Sequence, residues 1–299
     1  MEMTDYEVVI IGGGPAGLAA GLYLTRAQLK TLLIEQLGIG GQVLLTDRIE
    51  NYPGFPEGIR GYELIDKFKK QTEKFGLEFA FSEVKKIEKI DFRRWKIITS
   101  QKQYITFGII IATGAKPKKL NVPGEDRFRG KGISYCATCD GMLFKDKDVI
   151  VVGGGDTAVE EALFLAKFVK KITLVHRRDR LRATKILQDR IFSNNKIEFV
   201  WNSQIVEILG DEKVKAVKVK NIKTQKGQEI PCDGVFVFIG FIPNTDFLKG
   251  MIEMDANGYI ITDENMKTSE EGIFACGDGA TAAFACQQYV EELKGIAYK

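Results

Sequence analysis

Residues 7–17, EVVIIGGGPAG, and residues 148–158, DVIVVGGGDTA, decide the fold, because they carry one pattern twice. Each opens on four β-branched apolar residues, Val8–Ile11 and Val149–Val152, with no polar alternation. Such a run reads as a strand buried on both faces. Each then turns through three glycines, Gly12–Gly14 and Gly153–Gly155, into a helical segment ending near Leu29 or Phe168. A second apolar strand follows, Thr31–Glu35 and Lys171–Val175. Strand, Gly-rich turn, helix and strand make a βαβ unit, which requires parallel strands and a right-handed crossover.

The likeness continues downstream. Alternating segments near Glu83–Asp91, Arg94–Ser100 and Gln103–Phe107 read as an antiparallel meander, with Ile205–Leu209 and Val214–Lys220 as its counterpart. Each copy returns through an apolar strand, Gly108–Ala112 or Gly234–Ile239, that ends in a turn holding Gly and Pro. Repetition on this scale indicates two copies of one nucleotide-binding module. A short strand at Gly272–Ala275 and a closing helix lie beyond the second copy and are expected to complete the first. The expected fold class is α/β with two Rossmann-like domains. Residues 1–117 and 245–299 form one, and residues 118–244 are inserted as the other.

Composition narrows the function. A length of 299 residues suits two domains, and 44% hydrophobic with 28% charged residues argues against disorder. A net charge of +3 is too small to point to nucleic acid. No apolar run reaches membrane-spanning length, and Tyr6–Ile11 already reads as a core strand, so no leader and a cytoplasmic location are expected. The chain has one histidine, His176, which removes most hydrolase and metal-site readings; no metal is expected.

The glycine turns are expected to hold pyrophosphates at helix N-termini. The residues concerned are Gly12, Gly14, Pro15, Ala16 and Gly17 in the first copy, and Gly153, Gly155, Asp156, Thr157 and Ala158 in the second. Glu35 lies 23 residues after Gly12, where a carboxylate accepts hydrogen bonds from a ribose. His176 lies 23 residues after Gly153 and opens the segment HRRDRLR. No acid stands there, and Arg177, Arg178 and Arg182 suit a 2′-phosphate, so NADPH is expected in the second module. A nicotinamide needs an electron acceptor, so the first module is expected to hold FAD, with Asp278 offering a carboxylate to ribityl hydroxyls.

Cys136-Ala137-Thr138-Cys139-Asp140 is the chemical centre. A zinc site needs a second ligand pair, and none is present; a Cys-x-x-Cys without one reads as redox-active. Asp140 adjoins it, as a proton donor and acceptor or as a helix-start residue.

Taken together, Gly12–Gly17, Gly40-Gly41-Gln42, Glu50–Phe55, Ala112–Ala115, Cys136–Gly141, Gly153–Ala158, His176–Arg182 and Thr268–Asp278 make the chain resemble the low-molecular-weight thioredoxin reductases of bacteria and archaea. The resemblance implies electron flow from NADPH through FAD to a Cys136–Cys139 disulfide and on to thioredoxin. It implies that Cys139 faces the flavin, that Cys136 attacks the substrate disulfide, and that Asp140 is the acid–base group. Gly41, Gln42, Asn51, Thr113 and Gly114 would lie near the flavin. It further implies a homodimer, hinges near Lys116–Val122 and Gly240–Asp246, and a thioredoxin grip at Met142-Leu143, which also reads as helix packing. An NADPH–ferredoxin or flavodoxin reductase is the alternative, to which a Cys-x-x-Cys is superfluous.

One departure stands out. Gly277-Asp278 runs directly into Gly279-Ala280-Thr281, and the family's intervening loop with its Arg-Gln pair, roughly a dozen or more residues, is missing. In the family, backbone donors and the dipole of the last helix stabilise the reduced flavin, so their loss is expected to weaken FAD retention or hinder reduction and leaves an impaired nucleotide-binding protein as a further alternative.

Overall fold

In the computed structural model, which describes residues 3–276 and 279–294, the chain opens on β1 (Met3–Ile11), α1 (Pro15–Arg26) and β2 (Thr31–Glu35). These are followed by α2 (Gly61–Lys74), β3 (Glu78–Phe81), β4 (Val84–Lys89), β5 (Trp95–Thr99) and β6 (Gln103–Ile111). β3, β2, β1 and β6 lie side by side in parallel, and β5 and β4 continue the sheet antiparallel.

β1 shows why its sequence lacks alternation. Val8 and Ile10 pack with Leu18 and Leu24 of α1, while Val9 and Ile11 pack with Trp95 and Ile97 of the meander. Successive side chains point to opposite faces, and both faces are covered. Full burial of each such side chain contributes about 1.5–3 kcal/mol.

In this first unit two boundaries differ from the sequence expectations. α1 stops at Arg26 because Gln28 takes a left-handed φ of 60° and the Leu29 N–H turns back to the Leu24 carbonyl. The segments Gln103–Phe107 and Gly108–Ala112 are one strand, β6. Its first half pairs with β5 and its second half with a later strand.

β7 (Ala115–Pro117) leads out of this unit. The second unit comprises β8 (Ile133–Ser134), α3 (Ala137–Asp140), β9 (Asp148–Gly153), α4 (Asp156–Leu165), β10 (Lys171–Val175), α5 (Lys185–Phe192) and β11 (Ile197–Val200). It continues with β12 (Ser203–Gly210), β13 (Val214–Asn221), β14 (Gly227–Pro231) and β15 (Gly234–Phe238). Its parallel sheet runs β11-β10-β9-β15-β8, and β12-β13-β14 form a separate antiparallel sheet. The division of labour along β9 repeats that along β1. Val149 and Val151 face the helices, while Ile150 and Val152 face the meander. α4 ends at Leu165, short of Phe168, in a run of turns whose carbonyls at Ala166 and Val169 accept hydrogen bonds from the Lys196 ammonium.

β16 (Phe241–Pro243) returns the chain alongside β7. β17 (Ile273–Ala275) then pairs with the second half of β6, and α6 (Gly279–Lys294) packs against α1. The compact units are Met1–Lys116 with Ile242–Lys299, and Pro117–Phe241. Among the described residues no helix is long and apolar enough to cross a membrane.

Candidate functional site

In the first unit the glycine turn is dictated by crowding. A Cβ on Gly12 would sit 2.2 Å from the Ala112 carbonyl oxygen, and one on Gly17 would sit 1.9 Å from that of Gly12. Gly14, by contrast, has nothing within 4 Å of the place its Cβ would take. It caps α1 without a side chain, ahead of Pro15, and leaves the helix N-terminus open to an anion. Ala16 follows in the first turn. Glu35 ends β2 over this turn: Oε2 accepts the Gly13 N–H at 2.7 Å, and Oε1 accepts those of Gln36 and Leu37. The carboxylate is thereby oriented by three backbone donors.

Gly40 donates its N–H to the Gly13 carbonyl, which folds Gly41 against Gly14. The Gln42 amide donates to the Ala115 carbonyl at 2.7 Å. Thr113 donates through Oγ1 to the Asn244 carbonyl, and the Asn244 amide donates back to the Thr113 carbonyl, each at 3.0 Å. The Asn244 N–H also bonds the Gly114 carbonyl. Asn244 therefore orders the turn after β6, and its only signal in sequence is its place after Pro243. Asn51 lies exposed in the loop closed by the Ile49–Ile59 bridge. Asp278 lies outside the described residues.

In the second unit a Cβ on Gly153 would meet the Phe238 carbonyl oxygen at 2.4 Å, and Gly155 is open as Gly14 is. Ala158 is buried beneath the turn in the third glycine's place. Asp156 accepts the Thr184 N–H at 2.6 Å, and the Arg182 N–H donates to the Gly154 carbonyl at 2.7 Å. These two bonds lash the basic loop to the glycine turn. Thr157, in the first turn of α4, and Arg182 line one cavity of about 200 Å³. Arg177, Arg178 and Arg182 are exposed.

His176 differs from these cations. It is 5% exposed, its ring fills the space beside Gly154, and Trp201 meets it edge-on. Burial first, and then the neighbouring Arg182, push its pKa down, so the imidazole is neutral near pH 7. The structure buries it under the turn, whereas the neighbouring arginines are exposed.

Cys136 and Cys139 are disulfide-bonded, with Cα atoms 5.4 Å apart. They follow β8, and Cys136 caps α3: its sulfur accepts the Cys139 N–H at 3.1 Å. Ser134, which sequence reading missed, brackets Cys136. Its hydroxyl accepts the Cys136 N–H and donates to the Cys136 carbonyl, both at 3.0 Å. That carbonyl also accepts the N–H of half-buried Asp140. Met142 and Leu143, which follow Gly141, are 59% and 70% exposed. Burial pushes the Cys232 thiol up to about 12 and that of Cys286 higher still, so neither is a thiolate at neutral pH. No group of side chains fit to hold a metal ion occurs among the described residues.

Residues 6–294 match the family model described as pyridine nucleotide-disulphide oxidoreductase. A thioredoxin reductase from Listeria innocua is 46% identical over 98% of this chain and 96% of its own length. The chain belongs to the pyridine nucleotide-disulphide oxidoreductases, and within them to the thioredoxin reductases. The Treponema pallidum thioredoxin reductase is 44% identical over 97% of this chain and 99% of its own. A crystal structure of the Lactococcus lactis thioredoxin reductase (FR conformation) superposes with a TM-score of 0.94 at 44% identity, covering 96% of this chain and 99% of that one. A crystal structure of the T. acidophilum thioredoxin reductase superposes with a TM-score of 0.91 at 34% identity, covering 97% of this chain and 99% of that one. The Listeria alignment spans 311 positions yet uses 98% of 299 residues, about 293, which leaves about 18 positions where this chain has no residue. The ferredoxin- or flavodoxin-reductase and impaired-protein alternatives are not favoured by these relatives.

Proposed function

We propose that this enzyme uses NADPH and FAD to reduce the disulfide of a thioredoxin or thioredoxin-like protein. The observation that carries the reading is the Cys136–Cys139 disulfide, set on the strand edge of a sheet that also bears an open glycine turn and an arginine loop. The first unit fits FAD: Gly14 leaves room for a pyrophosphate, and Glu35 is aimed to accept a ribose hydroxyl. Gly41, Gln42, Thr113 and Gly114, and by resemblance Asn51 and Asp278, would complete that site. The second unit fits NADPH, with the pyrophosphate at Gly155 and the 2′-phosphate between Arg177, Arg178 and Arg182. His176 would support this loop from below as a neutral ring. FAD, when bound, supplies two-electron transfer between a nicotinamide and a disulfide.

The protein's own chemistry is thiol exchange. In the reduced dithiol, the Cys136 thiolate attacks one sulfur of the substrate disulfide, forming a mixed disulfide and expelling a thiolate. The Cys139 thiolate then attacks the Cys136 sulfur. That restores the Cys136–Cys139 bond and releases the second substrate thiol. Asp140 supplies and recovers the protons. The N–H of Cys139 and the start of α3 stabilise negative charge on Cys136. The same reading places the enzyme in the cytoplasm as a homodimer.

A thioredoxin-coupled insulin assay tests the reading. NADPH oxidation that depends on both the carrier and the two cysteines supports it. Undiminished turnover after Cys136→Ser with Cys139→Ser overturns it.

A further inference from the structure

The turns at the carboxyl edge of the second unit's sheet come in a fixed order. The basic loop follows β10, the glycine turn follows β9, residues 239–241 follow β15, and Tyr135 with Cys136 follows β8. Neighbouring strands lie about 4.8 Å apart, so β10 and β8 are separated by roughly 14 Å. A dinucleotide with its 2′-phosphate at β10 and its pyrophosphate at β9 must extend its nicotinamide half toward β15 and β8. The cavity of about 200 Å³ lies along that path, and Tyr135 lines it together with Gly155, Thr157, Ile239 and Phe241.

Tyr135 is held rigidly. Its hydroxyl donates to Glu125 Oε1 at 2.7 Å. The same carboxylate accepts the Leu120 N–H at 2.8 Å and the Asn121 N–H at 2.6 Å. Glu125 is 2% exposed, and a buried carboxylate with three donors is fixed in place. The Arg129 guanidinium approaches the tyrosine ring at 5.9 Å. Filling this volume does not call for a phenol; the hydroxyl sets the angle at which the ring walls the cavity.

We propose that Tyr135, anchored by Glu125, is a positioning residue for the nicotinamide half of the dinucleotide and forms the wall between that half and Cys136. The inference rests on the NADPH reading above and deepens it. Calorimetric titration of the FAD-loaded protein with NADP⁺ and, separately, with adenosine 2′,5′-bisphosphate tests it, because the second ligand lacks the nicotinamide half. Tyr135→Ala is expected to weaken NADP⁺ binding about tenfold and the bisphosphate less than about twofold. Tyr135→Phe, which keeps the ring and loses the anchor, is expected to weaken NADP⁺ by about two- to fivefold and to raise the NADPH KM with kcat unchanged. Equal weakening of both ligands, or none in either variant, overturns the inference while leaving the NADPH reading standing. A wild-type protein that binds neither ligand overturns both.

Discussion

Glu35 and His176 occupy the same station in two copies of one supersecondary unit. Each lies 23 residues after the first glycine, at the end of the second strand, beside the middle glycine of the turn. Glu35 meets Gly13 with an anionic acceptor, and His176 meets Gly154 with a neutral ring that opens an arginine loop. On the function proposed above, this one position separates a site for a free ribose from a site for a phosphorylated ribose.

Cofactor choice should follow the arginines. Replacing Arg177 and Arg178 with alanine removes two exposed forks suited to a 2′-phosphate. The expected result is a rise in the NADPH KM by about ten- to a hundredfold, with the NADH KM changed by less than about threefold. Steady-state kinetics with both nucleotides checks it.

His176 predicts a pH dependence of stability. Its pKa is lowered in the folded chain, so the unfolded chain takes up a proton at this site first as pH falls. The stabilisation is therefore fully present above about pH 6.5 and is lost as pH falls toward the folded-state value. Urea midpoints measured between pH 7.5 and 5 should decline less steeply in His176→Gln than in the wild-type protein.

Ser134 makes two hydrogen bonds to the backbone of Cys136 and touches neither sulfur through them. Ser134→Ala should cost about 1 kcal/mol of stability, measured by urea unfolding. It should also lower kcat/KM for thioredoxin by about three- to tenfold while leaving NADPH-driven ferricyanide reduction intact. Loss of both activities together would reveal a general folding defect.

Thiol reactivity should divide cleanly. After reduction, iodoacetamide at about pH 7.5 is expected to label Cys136 and Cys139 and to spare Cys232 and Cys286, whose burial keeps them protonated. Peptide mass spectrometry of the native, folded protein reads this directly.

Much of this was legible in the sequence, because long-range order here is encoded locally. The bare apolar runs Val8–Ile11 and Val149–Val152 announce strands covered on both faces, and the glycines report crowding that the structure measures at Gly12 and Gly153. The arginine loop and the Cys-x-x-Cys were visible as residue types at set spacings. What escaped depends on contacts between distant segments. β14, with its mostly exposed residues, carries no period that marks a strand. The burial of His176 arises from the missing Cβ of Gly154, 22 residues earlier. Asn244 reaches Thr113 across 131 positions, and Ser134 and Glu125 look like ordinary polar residues until the turn around Cys136 is folded.

The central claim is that the Cys136–Cys139 disulfide takes up the electrons that NADPH delivers. Anaerobic titration of the FAD-loaded protein with NADPH measures this most directly, by absorbance at the flavin band against equivalents added. The account predicts that each wild-type chain consumes two molecules of NADPH, one to reduce the flavin and one to reduce the disulfide, and that each chain consumes one after both cysteines are changed to serine. Equal consumption by the two proteins would contradict it.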